Sequence, residues 1–276
     1  MSSMEEGVSR HYSAYEVLPR IRAGLEAIGR DPDRIQPEDL KAVDEFHIGG
    51  AEATGALLAD LDLAPGMEIL DIGCGIGGPA RMIALRSGAR VTGVDLTPAF
   101  IEAAEALSRM AGMGDRVAFR TGSATAMPFD DASFDIATLL HVGMNIPDKQ
   151  ALFGEAYRVL RPAGVFAVYD VMRVGEGSLA FPVPWAEHEG LSALAAPDDY
   201  RKQASDAGFT LVDEKDRRSV ALAFFDRIRA QASSDTPAPL SLHLLMGPTV
   251  GQKTANMIGA IQAGTIAPVQ MIFRKA

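Results

Sequence analysis

The chain has 276 residues, 47% hydrophobic and 22% charged, with 26 Lys plus Arg against 36 Asp plus Glu for a formal net charge of -10. This composition supports a packed core and excludes a disordered tail or a coiled coil; no apolar run reaches the ~20 residues of a bilayer span, and the single cysteine, Cys74, excludes an internal disulfide and a multi-cysteine zinc site. The acidic balance disfavours nucleic acid, whose binding depends on basic contacts to phosphate, and the polar start MSSMEEGVSRHYSAYE is unlike a secretory signal, so the expectation is a soluble, cytoplasmic monomer or homodimer that handles a small molecule and binds neither nucleic acid nor membrane.

In chain order, Val17, Leu18, Ile21, Leu25 and Ile28 fall at helical spacing and predict a helix over 15–28, ended by Asp31-Pro32-Asp33. A second amphipathic helix is predicted over 51–61, and Pro65-Gly66 marks a turn. Short apolar runs at 67–72, 90–95, 117–120, 134–140 and 165–171 then alternate with helical stretches at 78–87, 98–113 and 148–160. Thr97 before Pro98 reads as an N-cap ahead of a first-turn proline. Such alternation predicts right-handed βαβ units and a parallel sheet with helices on both faces. Further on, 209–213 and 267–273 read as strands, and 220–232 and 251–263 as helices separated by the breaker at 233–239. The stretch 174–196, with FPVPW, reads either as part of a lid or as a long surface connection. The expected organisation is an N-terminal helical cap over 1–62, then an α/β domain over 63–276 with lid segments near 172–196 and 220–265.

The richest segment is EILDIGCGIGGPAR, residues 68–81. A strand ends at Asp71–Ile72, glycines follow at 73, 75, 77 and 78, and a helix begins. In a doubly wound sheet, ligands sit where the first strand turns into its helix; glycines there allow close backbone approach and positive φ. Taken alone, a glycine loop also suits dinucleotides. Asp71 just before the loop would repel a pyrophosphate and suit an ammonium group, unless it merely caps the helix. Asp95 ends the next strand, where a carboxylate accepts from ribose hydroxyls. The loop also follows some sixty residues of helix, whereas dinucleotide domains often begin at their first strand. A cationic nucleoside bearing an amino acid fits all of this, and S-adenosylmethionine is such a molecule.

LDIGCGIGGPAR, VTGVDLTPAFIEAA, ATAMPFDDASFDIATLLHV and EAYRVLRPAGVFAVYDV follow one another at a characteristic spacing. In these motifs the chain resembles the class I S-adenosylmethionine-dependent methyltransferases, of the small-molecule group that includes sarcosine/dimethylglycine, phosphoethanolamine and tocopherol methyltransferases. The resemblance covers about 43–171 specifically and the rest loosely. It implies a Rossmann-like sheet of seven strands, parallel except for a reversed last strand at 269–273. It also implies that Asp71, Gly73 and Gly75 hold the methionine end, with Cys74 in the same loop. Asp95 would take the ribose hydroxyls, and Leu96 would pack on adenine. Ser123 and Ala124 fall at the adenine edge, where the family often has an acid and this chain has a hydroxyl. Leu140 and His141 would lie near the sulfonium.

Cys74 has no paired base in sequence and reads as a small packing residue. Methyl transfer needs a general base only when the acceptor must lose a proton. His141 is the catalytic candidate, or else a histidine bonded to backbone or cofactor. Candidate substrate contacts are His47 in DEFHIGG, Asn145 in HVGMNI (or a turn cap), and Phe181 and Trp185, which cover either the pocket, as its wall, or a partner subunit. Tyr15 belongs with them or with helix packing. No metal is expected, since Asp130-Asp131 falls in a solvent-side turn. The alternatives to methyl transfer to a small molecule are a cofactor-binding scaffold without catalysis and, more remotely, a nucleotide-dependent dehydrogenase.

Overall fold

The apolar runs after Pro65-Gly66 all become strands of one sheet. In the computed structural model, which describes residues 3–12, 16–231 and 238–276, these are β1 (Glu68–Ile72), β2 (Arg90–Asp95), β3 (Val117–Thr121), β4 (Phe134–Leu140), β5 (Leu160–Arg173), β6 (Phe209–Asp216) and β7 (Ile266–Lys275). Their order is β3-β2-β1-β4-β5-β7-β6. The pairs among β1 to β5 are parallel, and β7 runs antiparallel to both β5 and β6. The resemblance's reversed last strand is therefore present. Strand order turns back between β1 and β4, which opens a crevice at their carboxyl ends.

Eleven helices surround the sheet among the described residues: α1 (Ser3–Tyr12), α2 (Val17–Ala27), α3 (Lys41–Asp44), α4 (Gly50–Ala59), α5 (Gly78–Ser87), α6 (Pro98–Met110), α7 (Lys149–Val159), α8 (Pro197–Ala207), α9 (Arg218–Gln231), α10 (His243–Met246) and α11 (Val250–Gln262). Successive strand residues face opposite layers. Leu70 and Ile72 of β1 join Leu152, Phe153 and Tyr200 on the side of α7 and α8. Ile69 joins Ile83, Val91 and Ala104 on the side of α5 and α6. Burial on both faces is why these strands read as near-continuous apolar runs. Ahead of the sheet, Ile21 and Leu25 of α2 bury against Phe100 and Leu107 of α6 and against Leu244 and Leu245 of α10.

Three expectations change. β5 begins at Leu160, five residues early, because Leu160 pairs with Phe134 across an irregularity before the regular ladder starts at Ile136 and Val165. α8 was not anticipated; PDDYRKQASDA buries only Tyr200 and Ala204, one turn apart, too narrow a stripe for periodicity to register. The Thr97 side chain makes no cap bond to the helix; its hydroxyl serves Asp95 instead. Among the described residues no helix is long and apolar enough to cross a membrane.

Candidate active site

A cavity of about 320 Å³ opens at the carboxyl ends of β1 and β4. The loop after β1 lines it with Gly73, Cys74 and Gly75, the end of β2 with Asp95 and Leu96, and the segment after β3 with Ser123 and Ala124. Leu140 and His141 border it from β4. His47 lines it from the segment between α3 and α4, and Glu5 and Val8 from α1.

The loop has its shape for two distinct reasons. Gly73 sits at φ 71°, and a Cβ there would lie 2.3 Å from Val142 Cγ2. Gly75 has φ 52°, and a Cβ there would meet nothing within 4 Å, so it would project into open space. A side chain at 75 would fill room that a ligand can use. Asp95 braces this arrangement: its Oδ2 accepts from Gly75 N–H at 2.9 Å and its Oδ1 from Thr97 N–H at 2.8 Å. Burial raises the Asp95 carboxyl above its usual range, against the pull of those N–H groups.

Asp71, near the end of β1, is not among the residues that line the cavity and is 1% exposed. Its Oδ1 accepts from the Thr138 hydroxyl at 2.8 Å, while Oδ2 is buried with no hydrogen-bond partner. Burial, chiefly, pushes this carboxyl up to about 7, and the charges of Glu45 and Asp95 add to the effect. Buried polar atoms are nearly always paired, and a carboxylate oxygen in this state suits a cationic group. The orphaned oxygen, the open Gly75 position and the braced Asp95 together fit a nucleoside carrying an ammonium group. Cys74 is buried against Gly93, and burial pushes its thiol well up, which suits packing rather than attack.

Proton accounting separates the two histidines. His141 Nδ1 faces the Tyr169 carbonyl at 3.2 Å, and a carbonyl only accepts, so Nδ1 carries the proton. Its Nε2 then accepts from Ile48 N–H at 3.4 Å. Both nitrogens are committed, and the backbone is held at φ 56°, a rare state for a side chain other than glycine. His47 is the reverse tautomer: Nε2 lies 3.1 Å from the Gly50 carbonyl and 3.0 Å from Thr54 Oγ1. Thr54 gives its own proton to Glu45 Oε2 at 2.7 Å, so His47 Nε2–H is the donor to both. The His47 Nδ1 lone pair has no partner among the described residues. The ring centroids are 5.7 Å apart.

Burial lowers His47 to about 4; burial, with the neighbouring His47, lowers His141 to about 3. Both rings are neutral at pH 7. A folded value below the unfolded 6.5 means that the unfolded chain takes up protons first. Each histidine thus contributes stability that is present above pH 6.5 and lost as pH falls toward its folded value. The unfolding free energy of His141→Asn, chosen because Asn tolerates positive φ, should therefore fall less steeply between pH 6.5 and 4 than that of the parent. Parallel denaturation curves across that range would contradict a buried neutral His141.

The remaining expected residues divide. Asn145 lines the cavity, but its Nδ2 donates to the Trp185 and Leu191 carbonyls at 2.9 and 3.2 Å, tying the 185–191 segment to the end of β4. Trp185 does not line the cavity. It is 2% exposed, packed with Val171, Val183, Phe225 and Met257, and its Nε1–H donates to Ser192 Oγ at 3.0 Å. Phe181 packs on the same cluster, so the aromatic segment builds a core with α9 and α11 instead of a pocket wall. Tyr15 lies outside the described residues. Glu5, Glu45, Phe46 and Phe100 escaped the sequence reading. Only Glu45, two residues before His47 in DEFHIGG, carried a usable signal.

Comparison with known proteins agrees with this geometry. Residues 70–168 match the family described as methyltransferase domain. The chain is 30% identical over 221 residues to Methyltransferase GfsG of Streptomyces halstedii, covering 78% of this chain and 74% of that protein. It is 33% identical over 162 residues to 24-methylenesterol C-methyltransferase 2 of Oryza sativa subsp. japonica, which is 56% of this chain but 45% of that relative, so the match spans less than half of the plant protein. Among solved structures, geranyl diphosphate C-methyltransferase from Streptomyces coelicolor A3(2) superposes with a TM-score of 0.72 at 20% identity, covering 100% of this chain and 98% of that one; this likeness establishes the fold. Sheet order, glycine loop and a relative matched along most of both lengths agree, and the chain belongs to the S-adenosylmethionine-dependent methyltransferase family.

Proposed function

We propose that the chain transfers the methyl group of S-adenosylmethionine to a small, uncharged, largely apolar acceptor. The observation that carries this reading is the composition of the cavity wall. Glu5, Asp44, Asp95 and Asp148 line it beside Phe46, Ile76, Phe100 and Leu245, and among the described lining residues there is no Lys or Arg. An anion would find carboxylates and apolar side chains there and no basic side chain to pair with. This favours an acceptor like those of relatives named for sterols over a diphosphate such as the one the geranyl diphosphate C-methyltransferase holds together with Mg2+.

In this reading the glycine loop and Asp71 hold the methionine end, Asp95 the ribose hydroxyls, and Leu96, Ser123 and Ala124 the base. When bound, S-adenosylmethionine supplies a methyl group already activated on a sulfonium. The protein's part is to hold the acceptor in line and keep water out. Residues 1–62 act as a cap on a methyltransferase domain of residues 63–276. The 220–265 segment contributes Leu245 to the wall, while 172–196 supports it from behind. For an acceptor that must lose a proton, the unprotonated Nδ1 of His47 is the receiving atom, and the Glu45 carboxylate 3.6 Å from Nε2 would stabilise the cation that burial disfavours. The bonds from Ile48 N–H to His141 Nε2 and from the Tyr169 hydroxyl to the Ile48 carbonyl, 3.0 Å, fix the segment that carries His47.

Tritiated S-adenosylmethionine offered with sterols, terpenoid alcohols and phenols, alongside geranyl diphosphate and phosphoethanolamine, tests this. Label should enter an uncharged acceptor, and His47→Phe should lower kcat on a proton-bearing acceptor by about 10²- to 10⁴-fold with little change in KM. Transfer only to the anionic acceptors, or to none, would overturn the reading.

A further inference from the structure

The Ser123 hydroxyl donates to Oε1 of Glu5 at 2.5 Å, across 118 residues of sequence. Ser123 Oγ also lies 2.8 Å from Thr125 Oγ1 and accepts from Thr125 N–H at 3.2 Å. Glu5 and Ser123 both line the cavity, and so does Val8, nearly one turn further along α1. α1 therefore brings a carboxylate to the end of β3, where the sheet itself offers only a hydroxyl. An ionised carboxylate has about four acceptor positions, so accepting from Ser123 is compatible with accepting from a second donor in the cavity.

Strand order says what would meet it. β1, β2 and β3 are consecutive neighbours in the sheet, spaced about 4.8 Å apart. A nucleoside whose amino-acid tail lies on the loop after β1 and whose diol reaches Asp95 at the end of β2 directs its base toward the end of β3. We propose that Glu5 reads the 6-amino group of the adenine, a recognition carboxylate lent to the sheet by the N-terminal helix. The assignment rests on the S-adenosylmethionine reading above. The chemistry is selective: a carboxylate only accepts, and adenine offers an N–H₂ donor at position 6 where a 6-oxopurine offers a carbonyl oxygen. Docking of α1 and occupancy of the base position then favour each other.

Calorimetry on the full chain distinguishes this role from a merely structural one. The probes are S-adenosylhomocysteine and its purine analogue lacking the 6-amino group. Glu5→Ala should weaken S-adenosylhomocysteine roughly tenfold or more, as expected for a hydrogen bond to a charged group, and leave the deaminated analogue within about twofold. Glu5→Gln, which keeps length and an accepting oxygen but no charge, should fall between. Equal weakening of both ligands, or of neither, overturns the proposal. If the parent chain binds neither ligand, the cofactor reading itself falls and this assignment with it.

Discussion

Arg81→Met is expected to lower the free energy of unfolding by about 3–5 kcal/mol, the range for leaving one partner of a buried ion pair uncompensated. Arg81 closes the first motif and is 1% exposed. Its guanidinium forks onto both carboxylate oxygens of Asp44 and donates to the Ile76 carbonyl and to Ser108 Oγ, each at 2.8 Å. Burial already holds the Asp44 carboxyl up at about 6 against the pull of Arg81. Without the guanidinium, a carboxylate and two further acceptors would be stranded. Asp44 ends α3, immediately before Glu45 and His47, so this pair also anchors the segment that presents the proposed base. Urea denaturation should show the loss, and adding Asp44→Asn to Arg81→Met should recover a substantial part of it, as coupled neighbours do. A loss below about 1 kcal/mol would show that the pair contributes little.

Asp95→Ala is expected to weaken S-adenosylhomocysteine binding by about 1.5–3 kcal/mol, the worth of hydrogen bonds to a charged acceptor. Two effects converge on this residue. The carboxylate lines the cavity and is the expected partner of the ribose hydroxyls. It also braces the backbone of Gly75 and Thr97 from both of its oxygens, so its loss frees the loop that approaches the ligand. Calorimetric affinity within about twofold of the parent would remove Asp95 from the binding site.

The part of the molecule that was legible in the sequence is the part governed by local rules. β4 and α5 fall where the apolar runs and the glycine loop put them, because buried parallel strands need continuous apolar residues and a strand-to-helix turn needs glycine. Trp185 was misplaced because an aromatic segment looks the same whether it walls a pocket or folds back on neighbouring helices; only the packing of α9 and α11 around it decides. His141 drew attention by its position at the end of β4, yet a histidine's tautomer is set by whatever faces its two nitrogens. The Tyr169 carbonyl, Ile48 N–H and Gly50 carbonyl arrive from three separate places in the chain. Glu5 was invisible for the same reason, since nothing within α1 announces that it ends beside Ser123.

Cofactor placement at the carboxyl ends of β1 and β2 is best tested by a crystal structure of the chain grown with S-adenosylhomocysteine. The amino-acid end is expected against Gly73–Gly75 with its ammonium directed toward Asp71, the ribose diol at Asp95 and the base beside Ser123. An empty cavity at saturating ligand, or a molecule bound elsewhere, would contradict this placement.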